Sequence, residues 1–549
     1  MPTRRPLLNL SHAYCHGRSL RCPLASRPTV FSRKCSSSAP ATPPDSTADQ
    51  PPKPDHRELG QAQKLFMHSP YSPGSPLYLP RGADMFNKLA GFLRAQYIKF
   101  GFDEVITPNI YKKSLWEKSG HWDKYAKDMY SVQGRGATGT TENAEAGQDE
   151  EFGLKPMNCP GHCLLFGSEK HSYKELPIRY ADFSALHRNE VSGALSGLTR
   201  VRRFHQDDGH IFCRPSQIQS EIKSSLDFVK MVYQTFGLGP YKLVLSTRPE
   251  EHIGTEEEWA RAEDQLKAAL HASGQSWEIN PGDGAFYGPK IDVILQDSDG
   301  KEHQTATIQL DFQLPQRFNL AYTAPAPERE KQALTGKPVP SDILADDEPS
   351  KTQSQSSHES EGPVAPVLIH RAILGSLERF MALLIEHYNG KYPFWLSPYP
   401  AIILTMSTKP ELEKYAQEVA SQMNGAPPEG SHQFRMSRPR LRIDVDSSST
   451  SLGKKVMRAR EKGYNFILTV GEREMSDGQT VSVQVWNQPD LFELGRRLAD
   501  KGGKAKELGN VFRQEEARGT LPLLKKRQND TISRSSLQKL FRFLQDNYL

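Results

Sequence analysis

Twelve residues near the middle of the chain, Arg200–Ile211 (RVRRFHQDDGHI), leave the surrounding segment little freedom. They sit inside Pro177–Arg214, which reads as strand, a Gly/Ser-rich loop at Asn189–Thr199, and strand: an antiparallel hairpin with a long tip. Side chains alternate between faces along a strand. One face of the second strand therefore carries Arg200, Arg202, Phe204, Gln206, Asp208 and His210; the other carries Val201, Arg203, His205, Asp207 and Ile211. The first face offers cations, a ring, an amide, a carboxylate and an imidazole within about 35 Å, at ~3.4 Å per residue. A core-facing strand would be apolar there, and a solvent face would not need the ring. A surface for an anionic, heterocyclic ligand accounts for both, with arginines neutralising phosphates and Phe204 stacking on a base.

His210 has candidate metal partners in Cys159 and Cys163 (PMNCPGHC), Cys213 (HIFC) and His370 (VLIHRAILG). A closed structural zinc would use Cys159, Cys163, His210 and Cys213, although strand alternation sends His210 and Cys213 to opposite faces. An open site would use Cys159, His210 and His370, three distant ligands with a position left for substrate. A buried thiol and satisfied histidines with no metal is the plainer alternative for any one of them alone. Spacing leaves these alternatives open. Downstream, Val364–Tyr388 predicts a short strand running into an amphipathic helix, with Leu374, Leu377, Met381 and Leu384 at helical spacing toward the core. Arg379 interrupts those apolar turns, either as a snorkelling surface residue or reaching a phosphate from the helix flank. No nucleophile triad, P-loop or dinucleotide glycine fingerprint is visible.

The distribution of charge separates the chain into parts. Its 70 Lys+Arg and 65 Asp+Glu give a net +5 over 549 residues, enough chain for two or three domains. Residues 1–44 hold seven basic residues, three cysteines and no acid, the Arg/Ser-rich composition of an organellar transit peptide; a retained basic arm is the alternative. Residues 133–151 and 324–362 are each −4, poor in aromatics, and expected to be disordered surface insertions within one domain. Residues 393–549 are +7 and alternate strand-like runs (Ala401–Met406, Phe466–Val470, Val481–Val485) with helix-like ones (Pro410–Met423, Leu452–Glu461, Asp490–Asp500). That order predicts a compact α/β domain, whose basic surface is where a polyanion is expected to dock. No apolar run is long enough to span a membrane, and six cysteines over this length exclude a disulfide scaffold and suggest a reducing compartment.

Longer motifs then resemble a known family. HRNE (187–190), VRRFHQDDGHIF (201–212) and HRAILGSLERF (370–380) resemble motifs 2 and 3 of class II aminoacyl-tRNA synthetases, specifically the threonyl-tRNA synthetases. PRGADMFNKLAGFLRAQYIKFGFDEVITP (80–108) resembles motif 1, the dimer-interface helix and strand. KPMNCPGHC, GAFYGPKID (284–292), HQTATIQLDF (303–312) and LSPYP (396–400) match in the same order, and the resemblance spans roughly 57–500. It implies an α+β protein: an antiparallel class II sheet flanked by helices over 45–392, then an α/β anticodon-binding domain over 393–549. It implies zinc bound by Cys159, His210 and His370, which is the open arrangement, and threonine contacts from Gln206, Asp208, Tyr287, Gln304 and Gln309. Arg188 would hold the α-phosphate and the threonine carboxylate, Glu190 and Phe204 the adenine, and Arg200 and Arg379 the outer phosphates of Mg²⁺-ATP. Arg188 and Arg379 are the implied catalytic pair. Implied partners are tRNA(Thr), ATP, L-threonine and a second copy through 80–108, in the mitochondrial matrix. A non-catalytic tRNA-binding regulator is the alternative, although it would not need to keep Arg188, Phe204, Arg379 and the three ligands.

The sequence also departs from that family. About 56 residues precede the core, so the N-terminal editing domain of many relatives is expected to be lacking. In RIDVDSSSTSLGKKVMRA, Met457 stands where an arginine is usual, and VSVQVWN places Gln484 at another, while Glu474 is kept. Anticodon reading at those positions is expected to differ.

Overall fold

Residues 53–133, 151–296, 300–334, 361–425, 441–488 and 529–549 are described in the computed structural model. The expected transit peptide, most of both acidic insertions and the helix expected at Asp490–Asp500 lie outside them.

Helices α1 (His56–Ala62) and α2 (Pro80–Phe100) lead into strand β1 (Asp103–Glu104), helix α3 (Cys159–Phe166), and strands β2 (Ile178–Asp182), β3 (Ala185–His187) and β4 (Arg203–Cys213). Helix α4 (Ile218–Phe236), β5 (Lys242–Ser246), α5 (Glu256–Ser273), β6 (Trp277–Asn280), β7 (Lys290–Gln296), β8 (Glu302–Asp311), β9 (Val367–Ser376) and α6 (Leu377–His387) follow. The strands form a nine-stranded sheet in the order β6-β5-β7-β8-β9-β4-β2-β1, with β3 also on β4. Only the β1–β2 and β5–β6 pairs are parallel. On one face, Met85, Leu89 and Phe92 of α2, Val229 and Tyr233 of α4, Leu266 of α5 and Met381 and Leu384 of α6 bury the inward residues Ile211, Ile291, Ile308 and Ile369. Helical apolar stripes meeting a period-two strand pattern give one continuous core. The opposite face of β4, β8 and β9 is left for polar side chains.

The helix and strand expected over 80–108 form. Pro80 occupies the first turn of α2, and Gly101 ends it in the left-handed region at φ 69°. Three expectations change. The second hairpin strand starts at Arg203, because Ser196–Arg200 closes on itself through reciprocal backbone bonds of 3.1 Å. Arg202 therefore leaves the binding face; its guanidinium donates to Glu190 O at 2.9 Å and braces the loop. The strand near 364 is ten residues long, so Leu374 is a buried strand residue and the helix begins at Leu377. The acidic segment expected to be disordered from 324 is ordered at its start: Ala324 ends a strand, and Pro327–Leu334 is a helix held by Glu330, which pairs with Arg214 at 2.9 Å and accepts from the Tyr322 hydroxyl.

The C-terminal part holds β10 (Ala401–Thr405), α7 (Pro410–Asn424), β11 (Ile443–Asp446), α8 (Leu452–Lys462), β12 (Phe466–Val470), β13 (Thr480–Val485), β14 (Asn529–Ser533) and a final helix, α9 (Arg534–Asp546). Its sheet runs β11-β10-β12-β13-β14, parallel at β10 with both neighbours. The chain is thus α+β, an antiparallel-dominated sheet followed by an α/β domain, and the five expected C-terminal elements that fall in described residues end within a residue of their expected bounds. Among the described residues no helix is long and apolar enough to cross a membrane.

Candidate active site

Strand register brings distant residues together on the open face. His210 of β4 lies opposite His370 of β9, and His370 lies opposite Gln309 of β8; one step along, Asp208, Ala372 and Thr307 line up the same way. Between Gln206 and Asp208 the β4–β9 ladder breaks register. Asp207, pointing to the other face, occupies that break: its carboxylate accepts Ile373 and Leu374 N–H at 2.8 Å each and the Arg371 guanidinium at 3.0 Å. Arg371 is fully buried over the Phe102 ring at 4.0 Å. Burial pushes the Asp207 carboxyl up to about 7, against the pull of Arg371 and the two backbone donors.

The α3 N-terminus places Cys159 beside this register. Ligand atoms of Cys159, His210 and His370 lie within 4.8 Å of one another, with His210 Nε2 and His370 Nδ1 2.9 Å apart. His370 Nε2 donates to Asp311 Oδ2 at 2.8 Å, which fixes the tautomer and leaves Nδ1 its lone pair. Burial drives His210 well below the usual imidazole range, so it is neutral, and its Nδ1 is buried without a partner. Burial and then Asp208 push the Cys159 thiol well up; a metal would reverse this by taking the thiolate. One thiolate and two imidazoles with a carboxylate behind one of them is a donor set suited to zinc. Cys213 instead packs into the main core with Ile211, and of the candidate ligands only Cys159, His210 and His370 bring their ligand atoms together, so the closed four-ligand alternative does not assemble.

The thirteen residues to which the family resemblance assigns a role all line one of two adjoining pockets. The first, with about 420 Å³ of empty volume, is lined by Cys159, Arg188, Gln206, Asp208, His210, Tyr287, Gln309 and His370. The second, about 820 Å³, is lined by Arg188, Glu190, Arg200, Phe204, Gln304 and Arg379, together with Gln206 and Gln309. Arg188, Gln206, Thr307 and Gln309 border both. Asp208 accepts from Asn158 Nδ2 at 3.1 Å, and the Tyr287 ring stacks on His370 at 4.8 Å between centroids. Gln304, expected beside the amino acid, borders only the second pocket and donates its amide to Asp292. There the Arg188 guanidinium sits 4.9 Å over the Phe204 ring, and Arg200 pairs with Glu190 at 2.8 Å. Arg379 bonds Gln304 O at 2.9 Å and Thr199 O at 3.2 Å; burial, then Arg188 and Arg200, lower its pKa. Three converging guanidiniums, with Arg188 and Arg200 both opposing the charge of Arg379, form a site asking for a polyanion. Sequence reasoning missed Asn158, Asp311 and Asp292. Asp311 shares strand parity with Gln309, a signal that was present; the other two carried none.

Comparisons with known proteins agree with this geometry. Residues 140–337 match the model of the tRNA synthetase class II core domain (G, H, P, S and T), and residues 401–496 match an anticodon binding domain. The chain is 48% identical over 458 residues to the probable mitochondrial threonine–tRNA ligase of Schizosaccharomyces pombe, covering 83% of this chain and 88% of that one. It is 46% identical over 430 residues to human cytoplasmic threonine–tRNA ligase 1 but spans only 51% of its length. Among solved structures, the RNA binding domain of Cryptosporidium parvum threonyl-tRNA synthetase superposes with a TM-score of 0.65 at 44% identity, covering 78% of this chain and 92% of that one. With near full-length coverage of one relative and both domain types in order, the chain belongs to the threonine–tRNA ligase family of class II aminoacyl-tRNA synthetases.

Proposed function

We propose that this chain joins L-threonine to tRNA(Thr) through a threonyl-adenylate, using ATP with Mg²⁺, in the mitochondrial matrix. The observation that carries the proposal is the sharing of Arg188, Gln206, Thr307 and Gln309 between the Cys/His/His pocket and the three-arginine pocket. Two reactants held there would meet at Arg188.

The threonine carboxylate oxygen attacks the α-phosphorus as the bond to the β-phosphate oxygen breaks, releasing pyrophosphate. Arg188 holds the carboxylate and the α-phosphate together, so the step gains from orientation and from charge neutralised in place. Arg200 and Arg379 offset the charge that grows on the leaving pyrophosphate, while Phe204 and Glu190 hold the adenine. The tRNA 3′ ribose hydroxyl then attacks the carbonyl and AMP leaves. Cys159, His210 and His370 would hold a zinc ion, which when bound supplies a Lewis-acid centre for threonine's amino and hydroxyl groups. Asp208 accepts from that hydroxyl, and valine, lacking it, leaves Asp208 without this second donor and is rejected. Tyr287, Gln206 and Gln309 complete the amino-acid pocket, with Gln304 at its nucleotide side.

The +7 C-terminal domain is the surface for the tRNA anticodon arm. Exposed Ile98 (86%) of α2 and Ile106 (88%) beyond it support a homodimer through 80–108. The acid-free composition of residues 1–44 and the mitochondrial relative support import.

The test is threonine-dependent ATP–pyrophosphate exchange by the chain lacking residues 1–44, with zinc content measured in parallel. Exchange is expected, and Cys159→Ala should reduce it by at least ~100-fold together with loss of zinc. Zinc-loaded protein without exchange would overturn the proposal.

A further inference from the structure

One cluster around the buried His56 has no part in these roles. Asp55, His56 and Glu386 bring ligand-type atoms within 4.8 Å of one another, as a cation site would. Each is already committed. Asp55 caps α1, accepting Arg57 N–H at 2.7 Å and pairing with its guanidinium at 2.6 Å. Glu386 Oε1 accepts the His56 backbone N–H at 3.2 Å and its Nδ1–H at 2.7 Å. His56 Nε2 accepts the backbone N–H of Leu198 at 3.1 Å. With Nε2 an acceptor, Nδ1 carries the proton, and the carboxylate of Glu386 fixes that tautomer. Both nitrogens of this buried ring are satisfied, so the group is a clamp and not a metal site.

What it clamps is the loop over the nucleotide pocket. Leu198 is fully buried at the tip of the turn Ser196–Arg200. Gly197 beside it has φ 47°, and a Cβ there would lie 2.2 Å from His56 Nε2, so the turn meets the ring as closely as only glycine permits. The next carbonyl, Thr199 O, accepts from Arg379 Nε. Glu386 lies on α6 two turns beyond Arg379. A closed path therefore runs from Arg379 through Thr199 and Leu198 to His56, and back through Glu386 to the helix that carries Arg379.

We propose that His56 is a positioning residue for ATP, fixing the spacing of Arg200 and Arg379 across the nucleotide pocket by holding the Leu198 backbone against α6. The inference rests on the assignment of that pocket to ATP. Its test is ATP–pyrophosphate exchange at varied ATP and, separately, varied threonine. His56→Ala leaves the buried Leu198 N–H without an acceptor and is expected to raise the KM for ATP about tenfold, with the KM for threonine and kcat within about twofold. His56→Gln, whose amide oxygen can accept that N–H, should recover most of the loss. If His56→Ala does not fold, the isosteric Glu386→Gln, which frees the tautomer, is read in its place and should raise the KM for ATP by about three-fold. An unchanged KM for ATP in a folded variant, or equal rises for both substrates, overturns the clamp. No threonine-dependent exchange in the unaltered protein overturns the ATP assignment instead.

Discussion

Asp207 and Asp208 are neighbours with identical side chains, and the pleat gives them opposite duties. Asp208 borders the Cys/His/His pocket; Asp207 is sealed against Arg371 and the two backbone donors at the ladder break. Removing one member of a buried charge pair leaves the other uncompensated. Asp207→Asn is therefore expected to cost about 3–5 kcal/mol in urea unfolding. Asp208→Ala should move stability by less than about 1 kcal/mol while abolishing threonine-dependent exchange. Alternation alone separated the two residues in the sequence. The task of Asp207 was not legible, because the donors it satisfies arrive from a strand more than 160 residues away and exist only once the register has broken.

At the scale of elements, the site depends on β4 and β9 meeting closely around Gly209. A Cβ on Gly209 would lie 2.6 Å from the Arg371 guanidinium, which is buried and cannot retreat. Gly209→Ala should destabilise by about 1–3 kcal/mol, with the zinc stoichiometry of the folded fraction unchanged; equilibrium unfolding and metal analysis check both. The even spacing of Phe204, Gln206, Asp208 and His210 made this stretch of β4 readable residue by residue. Arg202 was misplaced because the turn at Ser196–Arg200 is closed by backbone bonds, which side-chain periodicity does not report. The length of β9 was similarly hidden: buried on both faces, its apolar run gives no period to separate strand from helix.

At the scale of the molecule, α2 joins the two domains. Arg81 donates to Pro398 O and Asp444, each at 2.5 Å, and lies 3.9 Å over the Tyr399 ring; Asp84 pairs with Arg442 at 2.7 Å, and Lys88 Nζ donates to Ser397 O at 3.0 Å. Burial lowers the Lys88 ammonium from 10.5 to about 8. Between those values the unfolded chain binds the proton more firmly, so the contribution of Lys88 to stability is lowest below its folded pKa and rises as pH climbs through that window. Lys88→Met should remove that rise in chemical denaturation across about pH 8 to 10.5. Not every C-terminal cation is offered to RNA. Lys455 is buried on Thr405 O at 3.0 Å, and Arg460 is spent on Gln484 at 2.8 Å and on the Trp486 ring. One further consequence follows from β4. Phe204 to His210 spans about 20 Å at ~3.4 Å per residue, so on the proposed assignment the strand would work as a ruler laid along the joined reactants, base at one end and amino acid at the other. A single-residue slip would turn every graduation toward the core at once. On that assignment, recognition of the base and recognition of the amino acid would be inherited together.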